Sequence, residues 1–333
     1  MEFEIRESLD NVDAEAIVVP ISEGADPASP CDARFAATAS MLFSTGDLPL
    51  KPLETMMIPG TPKIVFVGLA KAADAEAWRK LAATAVRRIK ARTIAFSKGD
   101  ARSIVEGALV GGFSVEAYKT TNSKISADRV VLVAADAAAL EQGRIAGESM
   151  NWARQLINEA PNRKPPRVIA DRALAMAASA GLSIEVLDEH RLRELKMGAL
   201  LGVSQGSDEP PRLIVLRHAG NADSTKTLAF VGKGVTFDTG GISLKPAEGM
   251  EKMKYDMAGG ATAMAAVRTL ALLKAKVNCI AVVPLVENMP GGRAQRPGDV
   301  VESLSGKTIE VINTDAEGRL ILADALALSL IHI

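Results

Sequence analysis

The chain has 333 residues, of which 48% are apolar and 24% charged, and its formal net charge is −1. That length suggests about two domains with ample core, and the near-zero charge excludes a global basic field for nucleic acid or anionic membranes. Only Cys31 and Cys279 are present, too few for a disulfide framework, so they are expected to be two reduced core thiols.

The opening MEFEIRESLD is acidic and lacks the basic region of a signal peptide. No apolar run approaches the ~20 residues that a membrane helix needs. A cytoplasmic protein with no membrane partner is the expectation. Residues 2–6 and 16–21 predict strands, and KIVFVG at 63–68 predicts a buried one. Residues 74–91 predict a helix with Leu81, Ala85 and Ile89 on one face and Asp74 as its N-cap. VVLVA at 130–134 predicts another buried strand. Strands alternating with helices predict an α/β domain with a largely parallel sheet. A long helix over 140–158 ends in the turn-rich Asn158-Glu-Ala-Pro161-Asn162, and a helix follows at 168–180. The predicted organisation is a domain over 1–138, a linker helix and turn over 139–164, and a second domain over 165–333.

The second region repeats the alternation, with strands predicted at 183–187, 213–216, 227–231 and 279–286. Helices are predicted at 191–197 and 256–273. Three of its segments concentrate unusual residues. The first, VGKGVTFDTGGISLKP (231–246), carries Lys233, Asp238 and Lys245 among glycines, directly after a predicted strand. It reads as a ligand-facing loop, since α/β proteins place ligands after parallel strands. A phosphate loop is disfavoured because Gly234 follows Lys233, and the dinucleotide pattern fails at Phe237. The plain alternative is a glycine-rich turn with solvated lysines.

The second segment, EKMKYDMAGG (251–260), places Asp256 at the start of an Ala-rich helix, where alone it would read as an N-cap. In the third, INTDAEGRL (312–320), Asp315 and Glu317 are two apart. On an extended chain both would point the same way. A helix predicted to start near Gly318 puts Arg319 at an N-terminus, where anions are stabilised; a capped helix start with surface charges is the alternative. Together Asp238, Asp256, Asp315 and Glu317, with Lys233 and Lys245, suit hard divalent ions such as Mg, Mn or Zn. His190, His218 and His332 lie outside all three segments and read as ordinary core or surface residues.

At these residues the sequence resembles the leucyl aminopeptidase, or cytosol aminopeptidase, family. Asn313-Thr-Asp-Ala-Glu-Gly-Arg319 matches its signature, and the other two segments and their spacing also match. The resemblance implies an N-terminal macro-like α/β domain and a C-terminal zinc-exopeptidase-like α/β domain. It implies two divalent ions, Mn²⁺ or Zn²⁺: Lys233, Asp238, Asp256 and Glu317 on one, and Asp238, Asp315 and Glu317 on the other. It further implies a neutral Lys233, Lys245 polarising the scissile carbonyl, a bicarbonate general base on Arg319, and substrate contacts from Met253 and Asn313. The implied substrates are peptides with a free N-terminus, and the implied assembly is a homohexamer of full-length chains. By the same resemblance the catalytic domain continues well past Ile333, so the chain is expected to be a truncated fragment, poorly soluble or inactive alone. Two rival readings remain. One is a DNA-binding or regulatory member of the family, with Arg87–Arg92 as a local basic cluster although net charge makes nucleic acid a poor partner. The other is a different two-metal hydrolase such as a phosphatase.

Overall fold

The computed structural model describes residues 1–24, 33–48, 51–115, 118–120 and 127–332. Cys31 and the side chain of His332 lie outside this description. The chain divides into two compact units, residues 1–151 and 152–333, with the division inside one helix, α4 (Ala137–Asn158).

The first unit contains a six-stranded sheet: β1 (Glu2–Arg6), β2 (Ala16–Ser22), β3 (Thr55–Ile58), β4 (Lys63–Leu69), β5 (Thr93–Phe96) and β6 (Arg129–Val133). Their order is β1-β6-β5-β2-β4-β3, and every pairing is parallel except β3 with β4. Helices α1 (Ala33–Thr45), α2 (Ala75–Arg88) and α3 (Ala101–Gly112) cover it. Val18, Val65 and Phe96 pack with Leu81 and Ile104 on one face. Val19, Phe66 and Val131 pack with Phe35 and Leu42 on the other. With both faces covered, the strands read as unbroken apolar runs rather than alternating ones. The Asp74 side chain accepts from Ala77 N and caps α2, as expected.

In the second unit α5 (Pro166–Ala180) begins on its two prolines, which is where proline fits a helix. Then come β7 (Ser183–Leu187), α6 (Glu189–Glu194), α7 (Gly198–Ser204), β8 (Arg212–Ala219), β9 (Thr227–Val231) and β10 (Gly234–Asp238). The remaining elements are α8 (Ala258–Leu272), β11 (Asn278–Asn288), the hairpin β12 (Val300–Glu302) and β13 (Thr308–Glu310), and α9 (Glu317–His332). Here the sheet is mixed: β11 pairs parallel with β9 and β10 but antiparallel with β8, which pairs antiparallel with β7. Alternate residues of β11 serve two cores. Cys279, Ala281 and Val283 pack with residues of α5 and α8, and Ile280, Val282 and Val286 with residues of α7 and α9. Burial raises the Cys279 thiol's pKa, so it is held as an unreactive thiol. Among the described residues no helix is long and apolar enough to cross a membrane.

The first half of the segment expected to be a glycine-rich loop is mostly strand, and the loop proper begins at Thr239. Residues 227–238 run along one side of β11, β9 against Asn278–Val282 and β10 against Leu285–Asn288. Only Gly232 and Lys233 break the strand. Gly232 N still donates to Val282 O, at 3.1 Å, while Lys233 O turns away and accepts from Gly260 N in α8, at 2.7 Å. A Cβ on Gly232 would lie 2.5 Å from Gly259 O, so only glycine allows this strand-to-helix approach.

Candidate metal centre

Four carboxylates and two lysines converge at the C-terminal ends of β10 and β11, beside the N-termini of α8 and α9. Asp238, the last residue of β10, is 2% exposed. Its Oδ1 accepts from Gly240 N at 2.8 Å, and its Oδ2 lies 2.8 Å from Lys245 Nζ. Lys245 also pairs with Asp315 Oδ1. Across the site Lys233 Nζ lies 2.8 Å from Asp256 Oδ2 and 2.7 Å from Glu317 Oε1. One carboxylate oxygen from each of Asp238, Asp315 and Glu317 falls within 4.8 Å of the others.

Asp315 and Glu317 meet without the extended backbone expected between them. Residues Thr314–Ala316 form a 3-10 turn, capped by Asn313, whose Oδ1 accepts from Asp315 N at 2.8 Å. Glu317 is already the first residue of α9, so the tight turn and not strand periodicity brings the carboxylates together. The loop bearing Lys245 is pinned to this turn. Thr314 Oγ1 donates to Gly240 O at 2.7 Å and accepts from Ser243 N at 2.8 Å. Asp256 does not cap α8. It follows the 3-10 turn Met250–Tyr255, and Met257 holds the cap position without a side-chain hydrogen bond.

Burial pushes the Asp256 carboxyl up to about 6, helped by Asp238 and Glu317 and opposed by Lys233. Burial acts to lower Lys233, but its two carboxylate partners outweigh it and hold the pKa above the ordinary lysine value. The two carboxylates thus favour the ammonium form of Lys233, whereas a metal ligand must be a neutral amine. Burial likewise acts to lower Lys245, and Asp238 and Asp315 overcome it.

The donors suit a divalent cation. Two ammonium groups against four carboxylates leave two negative charges uncompensated, and hard carboxylate oxygens match Mn, Mg or Zn. Asp256 Oδ2 is buried without a well-aligned hydrogen bond, although Lys233 Nζ lies close. Arg319 is exposed, in the first turn of α9, with no protein ion pair or hydrogen bond among the described residues. Met253 is half-buried in the turn before Asp256, and Asn313 is exposed. His190 is exposed and bonded to Glu194, and His218 meets Ala275 O; neither belongs to the site.

Several residues that complete the site stand out little in the sequence, where Gly318 marks only a helix start. Asn288, at the end of β11, touches the carboxylates of Asp238 and Glu317. Gly318 faces Lys233, whose Cε, Cδ and Nζ lie about where a Cβ would need room. Lys164 is fully buried, and its Nζ donates to Leu156 O (2.9 Å), Ile157 O (3.0 Å) and Lys254 O (2.6 Å). It thus ties the end of α4 to the turn that presents Met253 and Asp256. Burial, then the like charge of Lys254, pushes Lys164 down to about 8.

Lys164→Met should lower unfolding stability by about 3 kcal/mol at pH 7, because three buried carbonyls lose their donor. Between pH 8 and the ordinary lysine value of 10.5, the unfolded chain binds more protons than the folded one. The wild type therefore gains stability as pH rises through that window. Urea midpoints at pH 7 and pH 10 should show the variant's deficit widening; a constant deficit would contradict the burial argument.

A hard-oxygen centre of four carboxylates and two lysines, at the strand ends of an α/β unit, defines the class as a carboxylate-built site for divalent cations. Comparison with known proteins narrows it. Residues 151–331 match the catalytic domain of the cytosol aminopeptidase family, and residues 18–122 match its N-terminal domain. A probable cytosol aminopeptidase of Solibacter usitatus is 48% identical over 96% of this chain and 70% of its own length. One from Koribacter versatilis is 42% identical over 88% of this chain and 65% of its own. One from Wolbachia pipientis is 51% identical over 69% of this chain and 47% of its own. Among solved structures, the bottromycin maturation enzyme BotP in complex with Mn superposes with a TM-score of 0.81 at 32% identity, covering 95% of this chain and 69% of that one. The chain belongs to the cytosol aminopeptidase family. It spans about two-thirds of the length of the curated relatives that match most of it.

Proposed function

We propose that the chain carries the active site of a metal-dependent aminopeptidase that removes N-terminal residues, leucine among them, from peptides in the cytoplasm. The full-length protein would work as a homohexamer. The observation that carries this reading is the meeting of Asp238, Asp315 and Glu317 within 4.8 Å, flanked by Lys233, Asp256 and Lys245. Lys233, Asp238, Asp256 and Glu317 would hold one Mn²⁺ or Zn²⁺, and Asp238, Asp315 and Glu317 a second. Such ions supply a water of lowered pKa and a positive seat for the substrate's free α-amine.

The chain's own residues have separable tasks. Lys245, an ammonium held by two aspartates, steadies the oxyanion that develops on the scissile carbonyl. Arg319 is free to hold a bicarbonate, which supplies a general base. Met253 contacts the first side chain of the peptide. Asn313 has its carbonyl oxygen engaged by Asp315 N, which leaves its amide hydrogens for a peptide carbonyl.

Titration calorimetry should find two Mn²⁺ per chain, and none would overturn the reading. Hydrolysis should be confined to substrates with a free amine: Leu-p-nitroanilide should be cleaved and its N-acetyl derivative spared. Equal cleavage of both, or turnover of a phosphomonoester alone, would sink the aminopeptidase assignment.

A further inference from the structure

We propose that Asn288 is a positioning residue for the metal pair, orienting with one side-chain amide both carboxylates that would bridge the two ions. The inference rests on the metallopeptidase reading above and adds a residue to it.

Asn288 is 4% exposed at the end of β11. Its Nδ2 lies 2.8 Å from Asp238 Oδ1, 3.1 Å from Thr314 O and 3.4 Å from Glu317 Oε2. All three neighbours are acceptors. An amide turned the other way would set its oxygen against three oxygens, so the network requires Nδ2 here. Two hydrogens serve the two shorter contacts, and Glu317 is the longer, shared one.

The pattern on the carboxylates is what gives the amide a functional role. Asp238 offers Oδ1 to Asn288 and Oδ2 to Lys245. Glu317 offers Oε2 to Asn288 and Oε1 to Lys233. Each is thus held from behind on one oxygen by a neutral donor, which fixes its plane without adding charge. A lysine here would compete with the cations for the carboxylates, and an aspartate would repel them. The backbone of Asn288 is clamped in turn: its carbonyl accepts from Thr239 N and Thr239 Oγ1, each at 2.9 Å. Bonds of this outer kind orient ligating carboxylates and tune the metal they hold.

Asn288→Leu keeps the branching of the side chain, with bulkier methyls, and removes the donors. Its Mn²⁺ affinity, by calorimetry, should fall about 10- to 100-fold. The exchange-coupled electron paramagnetic resonance signal at two equivalents of Mn²⁺ should weaken, while the metal-free circular dichroism spectrum stays that of wild type. Asn288→Ala serves if the leucine variant does not fold. If neither folds, the Zn²⁺-loaded wild type decides. By ¹⁵N NMR its Asn288 side-chain amide hydrogens should be protected from solvent exchange, and free exchange would overturn the proposal. Wild type binding no Mn²⁺ would bring down the metallopeptidase reading itself. Wild type binding two Mn²⁺, with a variant that matches its affinity and coupling, would overturn only the role of Asn288.

Discussion

Glu317→Gln should cut Mn²⁺ affinity at least ~100-fold and leave at most one ion bound per chain. Glu317 is 2% exposed and pairs through Oε1 with Lys233, while Oε2 faces Asn288, and it belongs to the three-carboxylate cluster. With Asp238 it is one of the two most buried carboxylates of the site. The substitution preserves shape but removes one charge and replaces one acceptor oxygen by an NH₂ that faces a donor, Lys233 or Asn288. That leaves the two lysines facing three carboxylates, so the excess negative charge that attracts a divalent ion is halved. A buried charge removed at constant volume acts through electrostatics rather than packing. The metal-free melting temperature should move by no more than about 4 °C, a shift equivalent to ~3 kcal/mol or less at this chain length. Calorimetric titration read beside a thermal melt separates the two effects. Unchanged stoichiometry and affinity would mean that the carboxylates do not act as one centre.

Gly318→Ala should do the reverse of an ordinary helix substitution, impairing the site while sparing the fold. Gly318 is the second residue of α9, where alanine is the better helix former by about 1 kcal/mol. An added Cβ would lie 2.9 Å from Lys233 Cε and 3.0 Å from Cδ and Nζ. The lysine is flexible and can give way, so stability is kept. Its amine then leaves the position between Asp256 and Glu317. Loss of a positioned partner at a metal centre costs about 10- to 100-fold in affinity, and a loss of that order in Mn²⁺ affinity is expected. A thermal melt at or above the wild-type value, paired with the weakened titration, is the expected result. Wild-type affinity would show that Lys233 does not need the bare backbone of Gly318.

Much of this site is written locally in the chain and some of it is not. Asp238, Asp256, Asp315, Glu317, Lys233 and Lys245 stand out because charged residues crowd into three glycine-bearing segments, and the structure brings all six together. The backbone carrying them was harder to read. In β10, Gly234 and the polar Thr236 and Asp238 interrupt the apolar run, so a buried strand looked like a loop. The helix expected at 191–197 stops at Glu194, and α7 (GALLGVS) follows as a separate short helix with two glycines. Four-residue β5 is too short for any periodicity to register. Asn288 and Lys164 carried no local signal. An Asn after an apolar strand reads as its end, and a Lys between turns reads as solvated. Their roles depend on partners tens of residues away, Asp238 for the first and Lys254 for the second.

The break at Gly232 and Lys233 has a mechanical consequence. Lys233 sends its carbonyl to α8 and its amine to Asp256, the residue that leads into that same helix. Main chain and side chain thus grip one body at two points. Thermal rocking of α8 against the sheet carries the lysine and the aspartate along together, so the gap between them fluctuates less than either end does.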